Sequence, residues 1–356
     1  MQSILNKKTL HDVDLKDKHV IVRVDFNVPI KDGKVVSNKR IQAALPTIKY
    51  LLEQNCKIIL LSHLSRIKTL DDIKSGKKSL QPVAYELQNL LPNNSVKFID
   101  ASRGPIVQDA VRALEPQQII LLQNTRYNDV NEKGEAVKLE SKCNMDLGKE
   151  WADLANVFVN DAFGTAHRKH ASNVGIASNI EESCIGFLIQ EELTNLSRIT
   201  NNPKKPVIAI LGGAKVSDKL KVINNLLTIA DKILICGGMA YTFKKAQGMD
   251  IGTSLLEEEM LPEAKRLLEQ AGNKIILSQD FYCAVEFADV QPIYRKASEG
   301  LNGVMGLDIG PDTVVSFAQS LKGAGAVFWN GPAGVFEFAN FQHGTKAICQ
   351  LLKDLT

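Results

Sequence analysis

Short apolar runs alternate with amphipathic stretches along the first half of the chain. Each run is apolar at successive positions and not at every second one, which is typical of strands buried on both faces. The stretches between them, such as residues 80–91 and 104–115, place apolar residues every three or four positions, as helices with one buried face do. The pattern therefore predicts a parallel sheet with helices on both sides. The predicted strands are residues 19–26, 57–64, 96–100, 118–125 and 157–163.

The second half of the chain shows the same alternation of apolar runs and amphipathic stretches, and a polar segment separates the two halves. Apolar runs occur at residues 206–211, 231–238, 273–280, 303–310 and 325–331. Residues 187–199 have the spacing of one amphipathic helix, and the polar, proline-bearing segment at residues 200–206 ends it. We predict an α/β fold with two doubly wound, Rossmann-like parallel-sheet domains joined by a helical hinge. The predicted boundaries are residues 1–186 for the first domain, 187–205 for the hinge helix and linker, and 206–356 for the second domain.

Composition and charge narrow the classes of function. The chain has 356 residues, 44% of them hydrophobic and 23% charged, which is ordinary for a globular protein but long for one hydrophobic core. A net charge of +3 does not favour nucleic acid as a partner. The six cysteines include no CxxC pair, which argues against a zinc site and a redox motif. Because no apolar run approaches membrane length and no secretory leader is visible, we expect a cytoplasmic protein without a membrane partner.

Positively charged side chains follow the predicted strands of the first half. The carboxyl ends of parallel strands meet at one edge of the sheet, where ligands bind in such folds. A single arginine there is most simply a solvated surface charge, but four at successive strand ends favour a site for a small polyanion. Asp25 and Asp161 are expected to orient arginines or substrate hydroxyls. The positive residues and histidines are Arg40, His63, Arg66, Arg126, His167, Arg168 and His170.

Glycines and lysines follow the strands of the second half. Gly212 and Gly213 come directly after a strand, where their backbone N–H groups could face an anion, and Ser217 is expected to cap the next helix. Lys215 and Lys219 add positive charge. A nucleotide site and a set of tight turns both explain this pattern, because glycine is also the usual residue of turns. The P-loop motif GxxxxGK is absent. The absence of GxGxxG and of an acidic ribose partner argues against a nicotinamide-dependent oxidoreductase.

An anion site on one domain and a nucleotide site on the other indicate phosphoryl transfer by domain closure. From residue 18 to about 347 the chain closely resembles the phosphoglycerate kinase family. The matching motifs, in the order of that family, are VRVDFNVP, SHLSR, NTRY, VNDAFGTAHRKHAS, AILGGAKVSDK, GGMAYTF, GLDIGP and WNGPAGVFE.

The resemblance implies a phosphotransferase of glycolysis and gluconeogenesis with a carboxyl group as acceptor. It implies reversible phosphoryl transfer between 1,3-bisphosphoglycerate and ADP, which gives 3-phosphoglycerate and ATP. It further implies Mg²⁺ bound with ADP or ATP, and a cytoplasmic monomer with neither nucleic acid nor membrane as a partner.

The resemblance also assigns residues to the two sites. Arg40 and Lys215 would be catalytic, because they would stabilise charge on the moving phosphoryl group. The phosphoglycerate would be bound by Asp25, Phe26, Asn27, Arg40, His63, Leu64, Ser65, Arg66, Arg126 and Arg168. The nucleotide would be bound by Gly212, Gly213, Lys215, Lys219, Gly237, Gly306, Asn330, Pro332 and Glu337. No residue is assigned to metal, because the family's magnesium-linked aspartate would lie beyond Thr356.

Several positions depart from the family's pattern. Ser65 stands where the family has glycine, and at a positive φ it would carry strain of about 1 to 2 kcal/mol and could misaim Arg66. Gln123 replaces a glutamate, so we expect an orienting charge near Arg126 to be lost. Cys236 replaces the first glycine of a triple. The final helix stops where another strand is predicted, so we expect a second domain truncated at its C-terminus. The alternative is a catalytically impaired or truncated relative that binds 3-phosphoglycerate without efficient turnover.

Overall fold

A computed structural model describes residues 7–355 of the chain. The chain divides between Asn195 and Leu196 into two compact units, here called the amino-terminal and the carboxyl-terminal unit. The predicted boundaries at residues 186 and 206 stay a prediction. Among the helices of residues 7–355, none combines the length and the apolar character that crossing a membrane requires.

The amino-terminal unit is built on a six-stranded parallel sheet. Its strands are β1 (His19–Arg23), β4 (Lys57–Leu61), β5 (Val96–Ile99), β6 (Ile119–Leu122), β7 (Val157–Asn160) and β8 (Glu182–Ile185), and a short hairpin adds β2 (Ile30–Lys31) and β3 (Lys34–Val35). The strand order in the sheet is β5-β6-β4-β1-β7-β8. The predicted strands all occur. The edge strand β8, with the polar start Glu182-Ser183, and the two short hairpin strands have no counterpart among them.

Helices cover both faces of this sheet, as the continuous apolar runs predict. Val20 and Val22 of β1 pack into one apolar cluster, whereas Ile21 packs into another on the opposite face. Successive residues of one strand are therefore all buried, because successive side chains point to opposite faces. The helices are α1 (Lys39–Glu53), α2 (Leu70–Lys74), α3 (Gln81–Leu90), α4 (Pro105–Arg112), α5 (Met145–Ala152) and α6 (Phe163–Ala166). The next helix, α7 (Phe187–Thr200), contains the division between the two units.

The carboxyl-terminal unit repeats this plan with a smaller parallel sheet. Its strands are β9 (Val207–Leu211), β10 (Lys232–Ile235), β11 (Ile275–Leu277) and β15 (Ala326–Asn330), in the order β11-β10-β9-β15. Ala209 of β9 packs into one cluster and Ile210 into another, so both faces of this sheet are also buried. The helices are α8 (Leu220–Ile229), α9 (Met239–Ala246), α10 (Leu261–Ala271), α11 (Pro311–Leu321) and α12 (His343–Lys353). The α/β class with two parallel-sheet units is confirmed.

A separate antiparallel sheet in this unit is not foreseen by the sequence pattern. It contains β12 (Asp280–Ala284), β13 (Ile293–Lys296) and β14 (Met305–Ile309), in the order β13-β12-β14. The predicted strand at residues 303–310 thus exists as β14, but it pairs with β12 and does not join the parallel sheet. Local periodicity identifies a strand without identifying its partner, because pairing depends on residues distant in the sequence.

Candidate functional site

The loops after β1 and β4 form a hydrogen-bonded group at the carboxyl edge of the amino-terminal sheet. Arg40, in the first turn of α1, donates from Nη1 to Asp25 Oδ2 at 2.7 Å, as expected of an orienting carboxylate. Asp25 Oδ1 accepts from the N–H of Asn27 at 3.3 Å, and Asn27 Oδ1 accepts from the N–H of Ser65 at 2.8 Å. Ser65 has a φ of +56°, which meets the condition under which strain is expected at this position.

Asn124 ties the loop after β4 to the loop after β6. Its Oδ1 accepts from the N–H groups of Leu64 and Arg126, both at 3.1 Å. Its Nδ2 donates to the carbonyl oxygens of Leu64 at 2.7 Å and Lys78 at 3.0 Å. Sequence reasoning did not assign Asn124 to the site, although the polar pair Gln123-Asn124 after a fully apolar strand was a usable signal. Phe26, by contrast, was assigned to the site and lies in the apolar core.

Positive charge is concentrated at this edge. Arg126 is buried, and burial lowers its pKa; Arg168 and Arg66 lower it further, while Asp129 opposes them. Burial, followed by neighbouring arginines, lowers the pKa of His63 to about 2, so its imidazole is neutral at ordinary pH. These electrostatic effects require the groups to lie near one another, because such interactions fall off with distance. The edge can therefore attract an anion.

A buried arginine that sequence reasoning did not assign lies beneath this edge. Arg23, the last residue of β1, is 1% exposed. Its Nη2 lies 3.2 Å from His63 Nδ1, and its Nε donates to Ser172 Oγ at 2.8 Å. Ser172 is hydrogen-bonded in turn to the carboxylate of Glu140, which is fully buried. The usable signal was a charged residue inside an apolar run that was predicted to be buried on both faces.

The expectation that Asp161 orients arginines or substrate hydroxyls is wrong. Asp161 Oδ1 accepts from the N–H groups of Leu188 at 3.0 Å and Ile189 at 3.4 Å, in the first turn of α7. Burial raises the pKa of Asp161 to about 6. Its carboxylate therefore caps the amino end of α7.

The side chain of Gln123 is hydrogen-bonded to the loops beside the site and not to Arg126. Its Nε2 donates to Ser79 Oγ at 2.9 Å and to Asp100 Oδ1 at 2.8 Å. Its Oε1 accepts from the N–H groups of Leu80 at 3.0 Å and Asn124 at 2.9 Å. A glutamate could not donate to Asp100, so glutamine suits this position. Gln123 thus joins the loops that carry Ser79, Asp100 and Asn124.

A cavity of about 450 Å³ opens within the carboxyl-terminal unit. Residues that were predicted to bind nucleotide line part of it, namely Gly213, Gly237, Gly306, Pro332 and Glu337. Apolar residues that sequence reasoning did not assign line much of the rest, including Tyr241, Leu255, Phe287, Met305, Leu307 and Val335. Such a cavity suits a flat, weakly polar part of a ligand.

The glycines near this cavity allow the turns after β9, β10 and β15 to approach one another. A Cβ on Gly212 would lie 2.0 Å from the carbonyl oxygen of Pro332, and one on Gly237 would lie 2.7 Å from Gly213 N. The N–H of Gly212 donates to the carbonyl of Asn330 at 2.9 Å, and that of Gly213 donates to the carbonyl of Pro332 at 3.1 Å. The expectation that these two N–H groups face an anion is therefore wrong. Close packing of the turns is what requires glycine here.

The lysines of this segment lie nearer to solvent. The side chains of Lys219 and Asn330 are hydrogen-bonded to each other, and Lys215 is exposed. Ser217 does not cap α8, which begins at Leu220. Ser217 instead donates from its N–H at 3.2 Å and from its hydroxyl at 2.5 Å to the buried carboxylate of Glu257. Glu257, unassigned from the sequence, thus fixes the turn that carries both lysines.

Within residues 7–355, no three His, Cys, Asp or Glu side chains are grouped so that they could hold a metal ion. The amino-terminal unit therefore offers a positively charged edge, and the carboxyl-terminal unit offers an apolar cavity with lysines on an adjacent turn.

Comparison with known proteins identifies one family. The sequence model of the family described as phosphoglycerate kinase matches residues 10–356. A phosphoglycerate kinase from Mycoplasmoides gallisepticum is 56% identical over 358 residues, covering 98% of this chain and 86% of that protein. The structure of phosphoglycerate kinase from Coxiella burnetii matches with a TM-score of 0.80 at 36% identity, covering 98% of this chain and 86% of that one. That of phosphoglycerate kinase from Pyrococcus horikoshii matches with a TM-score of 0.83 at 29% identity, covering 97% and 86%.

Proposed function

The chain belongs to the phosphoglycerate kinase family, and from this premise we propose how its residues carry out the family's reaction. It is a phosphotransferase with a carboxyl group as acceptor, and it transfers a phosphoryl group reversibly between 1,3-bisphosphoglycerate and ADP. The products in one direction are 3-phosphoglycerate and ATP. The alternative of a relative that binds 3-phosphoglycerate without efficient turnover is not favoured, because the similarity extends over nearly the whole chain.

The phosphoglycerate binds, in this proposal, at the positively charged edge of the amino-terminal unit. Arg66, Arg126 and Arg168 supply charge, and arginine matches phosphate and carboxylate oxygens with paired donors. Asp25 holds Arg40 at 2.7 Å, so this guanidinium is already oriented before the ligand arrives. Asn27 and Ser65 join the loops that carry these groups, through a hydrogen bond of 2.8 Å.

The nucleotide binds, in the same proposal, in the cavity of the carboxyl-terminal unit. The base occupies the apolar part beside Leu255 and Phe287, whose side chains are 46% and 64% exposed although both are large and apolar. The phosphates extend toward Lys215 and Lys219, since their turn adjoins the cavity wall formed by Gly213. Gly212 and Gly237 act indirectly, because they allow the turns that build this wall to pack.

The transfer step depends on charge neutralisation. Phosphoryl transfer needs its reactants positioned and the charge on the transferring oxygens stabilised, more than it needs a covalent nucleophile. We assign this stabilisation to Arg40 and Lys215. Loss of one such preorganised donor typically lowers kcat by about 10² to 10³.

Magnesium enters as part of the nucleotide substrate, the magnesium complex of ADP or ATP, and we assign no residue of this chain to it. Closure at the hinge, a monomeric state and a cytoplasmic location stay predictions.

The match to the family over residues 10–356 is the observation that carries this proposal. The test is ATP production by the purified chain from 1,3-bisphosphoglycerate, ADP and Mg²⁺, measured in a coupled assay. Lys215→Ala is expected to lose about 10² to 10³ in kcat. Lys221→Ala, an exposed lysine on α8, is the matched control and is expected to turn over normally. Absence of ATP production by the unmutated chain, or equal activity of the two variants, would contradict the proposal.

A further inference from the structure

A chain of buried hydrogen bonds runs beneath the phosphoglycerate-binding edge of the amino-terminal unit. Glu140 Oε1 accepts from Ser172 Oγ at 2.5 Å, and Glu140 Oε2 accepts from the N–H of Ser172 at 2.9 Å. Ser172 Oγ accepts from Arg23 Nε at 2.8 Å, and Arg23 Nη2 lies 3.2 Å from His63 Nδ1. Each of these four residues is at least nine-tenths buried. We call them the Glu140 relay.

The relay determines which nitrogen of the His63 ring carries the proton. A guanidinium can only donate hydrogen bonds, so Arg23 requires His63 Nδ1 to be an acceptor. The proton of the neutral imidazole then belongs to Nε2. His63 therefore keeps one N–H donor for a ligand, and a donor suits the anionic phosphoglycerate.

Glu140 also supplies negative charge where arginines are crowded. Burial raises the pKa of Glu140, and Arg23 is the strongest influence that opposes this shift. Burial lowers the pKa of Arg23, and Glu140 is the strongest influence that restores it. Each group therefore helps the other to stay ionised, with Ser172 between them.

We propose that Glu140 is a positioning residue of the phosphoglycerate site, which acts through Ser172 and Arg23 to fix the tautomer and place of His63. This inference rests on the proposed function, because it assumes that His63 meets the phosphoglycerate. Glu140 itself lies at the far end of the relay and touches no ligand. Its contribution is to hold a donor in place before the ligand binds.

Glu140→Gln tests the proposal because it removes the charge at nearly unchanged size. Its amide can accept from only one of the two Ser172 donors, so the relay is weakened. We expect the KM for 3-phosphoglycerate to rise by about 10- to 100-fold, since hydrogen bonds to charged groups are typically worth that factor. The KM for ATP should stay within about twofold, because Glu140 belongs to the other unit.

A second pair of variants covers the case in which Glu140→Gln does not fold. Ser172→Ala breaks the relay by removing one hydroxyl, whereas Ser172→Thr keeps a hydroxyl and should restore most of the affinity. The tautomer of His63 is read in a long-range ¹H–¹⁵N spectrum of the histidine rings, with His63→Asn to assign its signal. We expect Nε2–H in the unmutated chain and in Ser172→Thr, and mixed tautomers in Ser172→Ala.

Folded variants that bind 3-phosphoglycerate as the unmutated chain does, with the same His63 tautomer, would overturn the proposal. Equal losses for 3-phosphoglycerate and ATP would overturn it too, because they would indicate a general effect on folding. If the unmutated chain does not bind 3-phosphoglycerate at all, the proposed function fails instead. The His63 spectrum still tests the relay in that case.

Discussion

Gly212→Ala is expected to damage both the stability and the nucleotide site of the carboxyl-terminal unit. The new Cβ would lie 2.0 Å from the carbonyl oxygen of Pro332. Carbon and oxygen atoms normally approach to about 3.3 Å, so the turns after β9 and β15 would have to separate by roughly 1.3 Å. That movement would stretch the hydrogen bonds from Gly212 to Asn330 and from Gly213 to Pro332, now 2.9 and 3.1 Å, beyond useful length.

The expected loss of stability is the sum of the cost of overpacking and the cost of the two stretched hydrogen bonds. Overpacking costs about 1 to 3 kcal/mol, and two hydrogen bonds add about 1 kcal/mol each, so the free energy of unfolding should fall by about 3 to 5 kcal/mol. For a unit of this size, that corresponds to a Tm lower by roughly 10 °C. Trp329, whose Nε1 donates to the carbonyl of Gly331 at 2.7 Å, reports on this turn. Its fluorescence can be followed through unfolding in a Trp151→Phe background, where it is the remaining tryptophan.

Gly248→Ala is the control for backbone strain without a clash. Gly248 has a φ of +90°, and a Cβ there would meet nothing within 4 Å. The control should lose about 1 to 2 kcal/mol and bind ADP normally. A Gly212→Ala variant that unfolds at the same temperature as the unmutated chain, with unchanged ADP affinity, would refute the packing role that we assign to Gly212.

Two further predictions concern backbone strain and pH. Ser65→Gly removes about 1 to 2 kcal/mol of strain but adds about 0.5 to 1 kcal/mol of chain entropy to the unfolded state, so the free energy of unfolding should rise by up to about 1.5 kcal/mol in denaturant titrations. Its KM for 3-phosphoglycerate should not change, because the hydrogen bond from Ser65 N–H to Asn27 is kept; a tenfold lower KM would mean that serine misaims Arg66. Burial raises the pKa of Asp308 to about 7. Above pH 4 the folded state therefore keeps this proton while the unfolded state loses it. The free energy of unfolding then falls as pH rises toward 7. Between pH 5 and 7 the unmutated chain should lose about 2 to 3 kcal/mol relative to Asp308→Asn, and a difference independent of pH would contradict this.

The sequence predicts the parallel sheets well because their signal is local. Val20, Ile21 and Val22 are all apolar since each faces a helix layer on one side of the sheet or the other. The pairing of β14 with β12 is not predictable in this way, because nothing within residues 305–309 specifies an antiparallel neighbour. Ser217 shows the same limit, since its partner Glu257 is 40 positions away.

The candidate site, too, is predictable from the sequence only where its signal is local. Charged residues at strand ends are visible in the sequence, and the structure places Asp25, Arg40 and Asn27 in one hydrogen-bonded group. The apolar wall of the cavity is not visible, because residues such as Leu255 and Phe287 come from loops without periodicity. The prediction for Gly212 and Gly213 is wrong for a related reason. Contacts between separate turns decide whether their N–H groups are free, and the sequence does not show these contacts.

The proposed function places phosphoglycerate and nucleotide at separately built sites, one in each unit. Calorimetric titration of 3-phosphoglycerate and of ADP into the unmutated chain, Arg168→Ala and Lys219→Ala tests this separation. We predict that Arg168→Ala weakens 3-phosphoglycerate binding at least tenfold and leaves ADP within about twofold, and that Lys219→Ala does the reverse. Equal weakening of both ligands by either variant, or no binding of either ligand to the unmutated chain, would contradict this placement of the two sites.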